Sequence, residues 1–429
     1  MDFSPLRGFR VLLPEEARIL QRVEDTLRTV FTLYGFEEVV LPTLEPFSLF
    51  ERKSGEEIEK HMYTFTDFGG RKVALRPEFT PSAARLFVQR AGELKLPVKW
   101  SYFGSVFRYD EPQKMRYREF WQAGVELIGA SSVESDLEVI SLVIDSMLAL
   151  GFKDFRVEVN DVRIFREMLG QEGFNPDQQY RVMLVIDKRN KVSEETFERD
   201  LLAALDGRKE LFDRIMFVLG LRKKSPGESL AILEEPKLRQ VIERLIKLFD
   251  LGKEVGLSKW ILFSPNIVRG LAYYTGMVFE VLVEGIPYSV CGGGRYDNLI
   301  SLYGGPDIPC VGMSFGVDRL VEAAMEKRII KVGERRPVFV AYIGQELKPL
   351  ALKTARDLRM AGIKTDVELR ERPLSKQLEY ANKRGCKLAV LLGKRELERK
   401  AVKIRDLDSG EELEIPLDRL IEEIRGKLA

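Results

Sequence analysis

The chain changes texture three times along its length, and each texture admits a different architecture. Up to residue 129, short aromatic-rich, strand-like runs (FEEVVLPTLEP, YTFTD, KVALRP, WSYFGSVFRYD, EFWQAGVELIG) are separated by loops. Helical spacing appears at 15 to 34, about 81 to 91 and 136 to 151, and two of these stretches end at a glycine, Gly35 and Gly151. This pattern predicts a β-rich body with helices outside it. From about 160 to 255 the sequence turns to charged helical stretches such as EETFERDLLAALDGRKELFDRIMFVL, with no strand run of comparable strength. That segment reads as a helical insertion, because strand patterns return at 260 to 291 and near 310 to 315. Beyond residue 336, VFVAYIG, KTDVEL and KLAVLLG alternate with helices predicted at 346 to 361 and 374 to 384, then a hairpin-like KAVKIRDLDSGEELEI and a last helix. Such alternation indicates a compact α/β domain of mixed sheet. The expected division is a core at 1–159 and 256–326, an insertion at 160–255, a linker at 327–336 and a C-terminal domain at 337–429.

A chain of 429 residues suits two or three domains, and a hydrophobic share of 45% is enough for real cores. Charged residues make up 31% of the chain yet leave a net charge of only +1, so no global field advertises a polyanionic partner. The surplus is local: from 336 to 429, 21 Lys and Arg stand against 16 Asp and Glu. Cys291, Cys310 and Cys386 are odd in number and far apart, which supports neither a disulfide framework nor a zinc site. His61 is the only histidine, so mechanisms that need a histidine base or several histidine ligands are disfavoured. The first residues lack a signal-peptide core, and no apolar run approaches the roughly 18 residues of a membrane span. A cytoplasmic protein is expected.

Several polar groups stand where a plain strand would have been simpler. In FRYDEPQKMRYREF, Arg108, Arg116 and Arg118 surround a proline turn between two strand-like runs, a way to bring bidentate cations into one pocket or simply an exposed charged hairpin. RGLAYYTG sets Arg269 among apolar neighbours, and a buried guanidinium must meet an anion from the protein or from a ligand. Glu78 and Thr80 close a strand in LRPEFT, while Gln122 and Glu126 share one strand face through their even spacing. Facing a pocket, these groups suit a small cationic or hydrogen-bond-donating substrate; facing water, they need no explanation. Tyr273 and Tyr274 add rings and hydroxyls, and VCGGGRYDNL supplies glycines that let a ligand or a strand approach closely. Arg319, in SFGVDRL, stands at an expected helix start.

Taken in order, LRGFRVLLPEE, GFEEVVLPTLEP, LRPEFT, FRYDEPQKMRYREFWQAGVE, RGLAYYTG, CGGGRYDNL and GVDRL resemble the histidyl-tRNA synthetases, a class II aminoacyl-tRNA synthetase family. The resemblance runs the length of the chain, and RGLxYYTG with GGGRYD is its most specific part. It implies an α+β catalytic domain on an antiparallel sheet flanked by helices, a helical insertion, and a C-terminal anticodon-binding α/β domain. It further implies L-histidine, ATP with Mg²⁺ and tRNA(His) as partners, no dedicated protein metal site, and a homodimer formed through the GFEEVVLPTLEP segment. By the same resemblance Arg108 and Arg269 hold the α-phosphate and are the catalytic residues, Arg108 also meets the substrate carboxylate, and Arg116 and Arg319 reach the outer phosphates. Glu78, Thr80 and Gln122 take the amino group, and Glu126 and Tyr274 take the imidazole with Tyr273 beside them. In the tail domain Arg370, Arg372, Lys376 and Lys383, with Arg384, Lys394 and Arg395 behind them, are candidate tRNA contacts. The chain departs from the family where Ala272 replaces a usual Asp, where Val11 stands for a frequent Asp, and where Asp110, Glu111 and Met115 replace Glu, Arg and Gly. The rival reading is a non-catalytic histidine sensor resembling the regulatory subunit of ATP phosphoribosyltransferase, which lacks the anticodon-binding domain.

Overall fold

The chain forms two compact units, residues 1–332 and 333–429. The structure, a computed structural model, describes residues 3–54, 61–111, 116–189, 192–222, 236–268, 273–330 and 336–428. The strands of the first unit are β1 (Glu37–Glu38), β2 (Leu44–Pro46), β3 (Thr64–Thr66), β4 (Lys72–Leu75), β5 (Val98–Phe107), β6 (Glu119–Ile128), β7 (Phe155–Asp161), β8 (Ile261–Phe263), β9 (Met277–Val283), β10 (Ser289–Arg295) and β11 (Cys310–Gly316). Eight of them form one sheet in the order β1-β5-β6-β11-β10-β9-β7-β8, and β2-β4-β3 form a small second one. The five central pairings of the large sheet are antiparallel, while its edges, β1 on β5 and β7 on β8, are parallel. The expected antiparallel sheet is present, with a parallel pair added at each side.

The helix α1 (Pro14–Leu33) buries Ile19, Leu20, Val23, Leu27, Val30 and Phe31 along one stripe, the spacing read from its sequence. A second long helix, Val133–Ala149, is buried around most of its circumference, and Val139, Ile140, Leu142, Val143, Ile144 and Met147 are fully buried. Its start is capped by Ser132, whose hydroxyl accepts from the Ser135 amide. Between β7 and β8 the described residues are helical, starting at Arg163. The strand β7 runs to Asp161, which pairs with Met277, two residues past the expected core boundary at 159. Phe197, Leu201, Leu211, Ile215, Leu238 and Leu245 join the insertion to the same apolar cluster as the sheet.

A buried ionic knot ties these layers. Arg295, only 4% exposed, directs its Nε and Nη2 at one oxygen of Asp136, at 2.9 and 2.6 Å, and its Nη2 also reaches Ser135 Oγ. The other Asp136 oxygen accepts from Arg244 of the helix Pro236–Glu254 at 2.5 Å. One carboxylate thus joins the sheet, the long helix and the insertion.

In the second unit, β12 (Val338–Tyr342), β13 (Thr365–Val367), β14 (Leu388–Leu392), β15 (Ala401–Asp406) and β16 (Glu412–Pro416) form a sheet ordered β13-β12-β14-β15-β16. The first three strands are parallel and the last two antiparallel, a mixed sheet of the expected kind. Helices Lys348–Met360, Leu374–Lys383 and Leu420–Leu428 accompany it.

Replacing Asp136 by Ala removes the shorter of the two carboxylate contacts of the buried Arg295 and leaves Asp297 at 3.2 Å, so the expected loss is about 3 kcal/mol, the low end for a broken buried pair. Scanning calorimetry of Asp136→Ala should show the first unit melting well below the wild type.

Candidate functional site

The site lies on the central strands of the large sheet, where the sequence puts a carboxylate into the middle of an apolar layer. Glu126 on β6 pairs with Trp100 of β5 and with Gly312 of β11, and is 1% exposed. A Cβ at position 312 would collide with its Oε2, so only glycine leaves room for the carboxyl. Tyr102 donates its hydroxyl to Oε1 at 3.0 Å, and Tyr296 donates to Oε2. Both rings are fixed by their neighbours: Tyr102 stacks on Phe79 at 4.4 Å, and Tyr296 meets Tyr273 edge-on at 5.8 Å. Burial pushes the Glu126 carboxyl up to about 7, against the lowering effect of hydrogen bonds from Tyr296, Thr80 and Tyr102. Burial likewise raises the tyrosines at 102, 273 and 296, so they remain protonated donors at neutral pH.

Glu78 forms the opposite wall. It is 8% exposed, and the Tyr273 hydroxyl lies 3.4 Å from its Oε2. The strand β4 ends at Leu75, before Glu78, and Thr80 opens the helix Thr80–Arg90 instead of closing a strand. The turn between them is held by Arg76, which donates to the carbonyls of Ser105 at 2.9 Å and Leu41 at 2.6 Å and lies 4.1 Å over the Phe79 ring. Tyr274 is buried with its ring 4.8 Å from Tyr273, and Gln122 is half-buried four residues along the strand from Glu126.

The arginines gather at the far end of β5 and β6. Arg108 donates through Nε to the Pro77 carbonyl at 3.0 Å and lies 5.3 Å over the Phe120 ring, next door to Glu78. Arg116 is turned onto Asp110 Oδ2, with Nε at 3.0 Å and Nη2 at 2.8 Å, while His61 Nδ1 is 2.9 Å from the other oxygen. Partial burial pushes the Asp110 carboxyl up, but Arg116 and His61 outweigh it and hold the group low. Arg319, third residue of the helix Val317–Glu326, donates to the Ser289 carbonyl at 2.9 Å and lies 5.6 Å from the Tyr288 ring.

Glu78, Thr80, Glu126 and Tyr273 thus share one cluster, and Tyr274 packs on Tyr273. Arg269 and Ala272 lie outside the described residues, as does Met115. Of the tail cations, Arg370, Lys376 and Lys383 are exposed, but the last two pair with Glu379 at 2.7 and 2.8 Å. Arg372 is tied to the buried Glu368 at 2.8 Å and stacks on Tyr380 at 3.9 Å, a role inside its own domain. The sequence reading missed Tyr102, Tyr296 and Arg76. A buried tyrosine hydroxyl needs a partner, so the two rings flanking a strand glutamate were the available signal. Among the described residues, no three His, Cys, Asp or Glu are grouped to hold a metal ion.

Below pH 4.5 the Glu126 carboxyl is neutral in both the folded and unfolded chain. As pH rises toward 7 the unfolded chain releases this proton and the folded chain keeps it, so stability is lost through that window. The loss is on the order of 3 kcal/mol. Urea titrations from pH 4.5 to 8 should show the wild type losing stability relative to Glu126→Gln.

The family profile for histidyl-tRNA synthetase matches residues 8–320, and that for the anticodon binding domain matches 337–427. The histidine–tRNA ligase of Pyrococcus furiosus is 41% identical over 432 residues, 99% of each chain. The crystal structure of histidyl-tRNA synthetase from Nostoc sp. PCC 7120 superposes with a TM-score of 0.81 at 25% identity, covering all of both chains. That of apo histidyl-tRNA synthetase from S. aureus gives 0.76 at 28%, covering 99% of each. By sequence, by fold and by the make-up of the site, the chain belongs to the histidyl-tRNA synthetase family.

Proposed function

We propose that the chain activates L-histidine with ATP to histidyl-adenylate and pyrophosphate, then transfers the histidyl group to the 3′ end of tRNA(His). The observation that carries this reading is the pairing of two buried carboxylates, Glu78 and Glu126, among tyrosine hydroxyls, with Arg108 at the rim. A small substrate with an ammonium group, a ring N–H and a carboxylate matches those three features. Glu78, Thr80 and Gln122 take the ammonium group. Glu126 and Tyr274 take the imidazole, with Tyr273 beside it, and a side chain lacking the ring N–H leaves buried groups unpaired, a strong form of rejection.

In the first step an oxygen of the histidine carboxylate attacks the α-phosphorus, the bond to the bridging oxygen breaks, and pyrophosphate leaves with its electrons. Negative charge grows on the α-phosphoryl oxygens, where Arg108 and Arg269 supply fixed cations. Arg116 and Arg319 take the outer phosphates, exchanging Asp110 and the Ser289 carbonyl for them. ATP enters as its Mg²⁺ complex, and the metal's charge comes with the phosphates. In the second step the terminal ribose hydroxyl of the tRNA attacks the histidyl carbonyl and AMP leaves.

The second unit supplies the anticodon-binding surface, with Arg370, Lys376 and Lys383 exposed and Arg372 braced behind them. A homodimer forms through the segment around β1 and β2, where Val40 and Leu44 are exposed. Charging takes place in the cytoplasm. No described helix is long and apolar enough to cross a membrane. The sensor reading is disfavoured because relatives named histidine–tRNA ligase match 99% of the chain at 41% identity, the anticodon-binding domain included.

Histidine-dependent ATP/pyrophosphate exchange tests the first step. The wild type should exchange, and Arg269→Ala should reduce kcat by roughly 100- to 1000-fold, the cost of removing one donor to a developing oxyanion. Histidine binding without exchange in the wild type would favour the sensor. For tRNA, Arg370→Ala should weaken binding and lower the slope of log K against log salt by about 1. An unchanged slope would remove Arg370 from the interface.

A further inference from the structure

We infer that Arg10 is a positioning residue for the ATP side of the site, acting through Asp318. The inference rests on the proposed synthetase reading for which arginines meet the outer phosphates.

The segment ahead of α1 has neither helix nor strand over Ser4–Leu6, yet it is pinned to the structure at three successive residues. Gly8 accepts the Arg118 amide at 2.9 Å with a φ of +87°, and a Cβ there would fall 2.8 Å from Arg118 Cγ. The backbone therefore lies flat on the Arg118 stem, a conformation and a clearance that suit glycine. Phe9 packs edge-on against Tyr63 at 5.8 Å. Arg10 then lays its guanidinium over the Tyr117 ring at 3.9 Å and forms an ion pair with Asp318.

Asp318 is 3% exposed, and its other oxygen accepts the Trp121 amide at 2.5 Å. One carboxylate thus joins the N-terminal segment, the strand β6 and the start of the helix Val317–Glu326. The two residues that Arg10 grips are the immediate neighbours of the two proposed outer-phosphate arginines: Tyr117 follows Arg116, and Asp318 precedes Arg319. A single guanidinium, planar and bidentate in reach, holds both backbones in register. It also neutralises a buried carboxylate one residue from a phosphate-binding cation. Without Arg10, that negative charge would oppose incoming phosphate in a medium that screens poorly. The contacts of Arg10 involve none of Glu78, Tyr102, Glu126 and Tyr296, and its network adjoins the proposed histidine contacts only at Gln122, through the Trp121 backbone, so histidine binding should register its loss far less than ATP binding does.

The test compares wild type, Arg10→Ala and Arg10→Lys. Calorimetric titrations measure L-histidine alone and Mg·ATP alone, and pyrophosphate exchange gives KM for each. Arg10→Ala should bind histidine nearly as the wild type does, which also reports that it folds. Its KM for ATP should rise about ten- to a hundred-fold, the range expected when a reacting group is misplaced. Arg10→Lys, which keeps the charge but not the planar stack, should recover only the part of the loss that comes from an unneutralised Asp318. Equal weakening of histidine and ATP would overturn the inference in favour of a general structural role. Unchanged ATP binding in Arg10→Ala, or a lysine that rescues nothing, would overturn it too. Absence of exchange in the wild type would instead sink the synthetase reading, and the Mg·ATP titrations would still decide the part played by Arg10.

Discussion

A carboxyl group buried in the middle of an eight-stranded sheet governs the layout of the first unit. Burying Glu126 without partners would cost several kcal/mol, so the surroundings must supply donors and space at once. Space comes from Gly312 on one flanking strand, and donors come from Tyr102 on the other and from Tyr296 just past the end of β10. Each ring in turn needs support, from Phe79 under Tyr102 and from Tyr273 against Tyr296. Gly312 and the tyrosines at 102 and 296 answer that requirement, whereas the turn carrying Glu78 is held separately by Arg76. Because burial outweighs the donated hydrogen bonds, the group keeps its proton to near neutral pH. A ligand that offers an N–H there is recognised against a high background cost, which favours selectivity over raw affinity.

The sheet that holds this carboxyl is itself fixed from behind. Asp136 binds Arg295 on the glycine strand and Arg244 on the insertion, and Arg295 directly precedes Tyr296. The insertion is therefore joined to the pocket wall through two ion pairs and one peptide bond.

The parts legible in the sequence were those written in period and punctuation. The long helices, the β-hairpin of β15 and β16, and the alternation in the tail domain could be read from spacing. Glu126 and Gln122 could be placed on one strand face by their even separation. What the spacing did not reveal was pairing between distant segments. That Tyr102 and Tyr296 converge on Glu126, from 24 and 170 residues away, depends on sheet order, which a single sequence does not state. Arg372 is a local case. As one of a run of cations it looked like an RNA contact, but the buried Glu368 four residues away claims it. The parallel edges of the large sheet were missed for a related reason: β1 spans two residues and β8 three, too short to carry a period.

The two halves of the pocket differ in how far they are assembled in advance. The carboxylates and tyrosines already make the hydrogen bonds of a closed, low-dielectric wall. The arginines are parked: Arg108 on the Pro77 carbonyl, Arg116 on Asp110, Arg319 on the Ser289 carbonyl. None of these three acceptors rivals a phosphate, which brings more charge and more lone pairs to a guanidinium. On the proposed reading, Mg·ATP draws each of these arginines from an internal partner onto a phosphate. Parking also keeps three cations from repelling one another across an empty site. The arrangement works only if the backbones bearing those arginines stay fixed while the side chains change partners. That condition is what ties the segment before α1, through one guanidinium, to the chemistry.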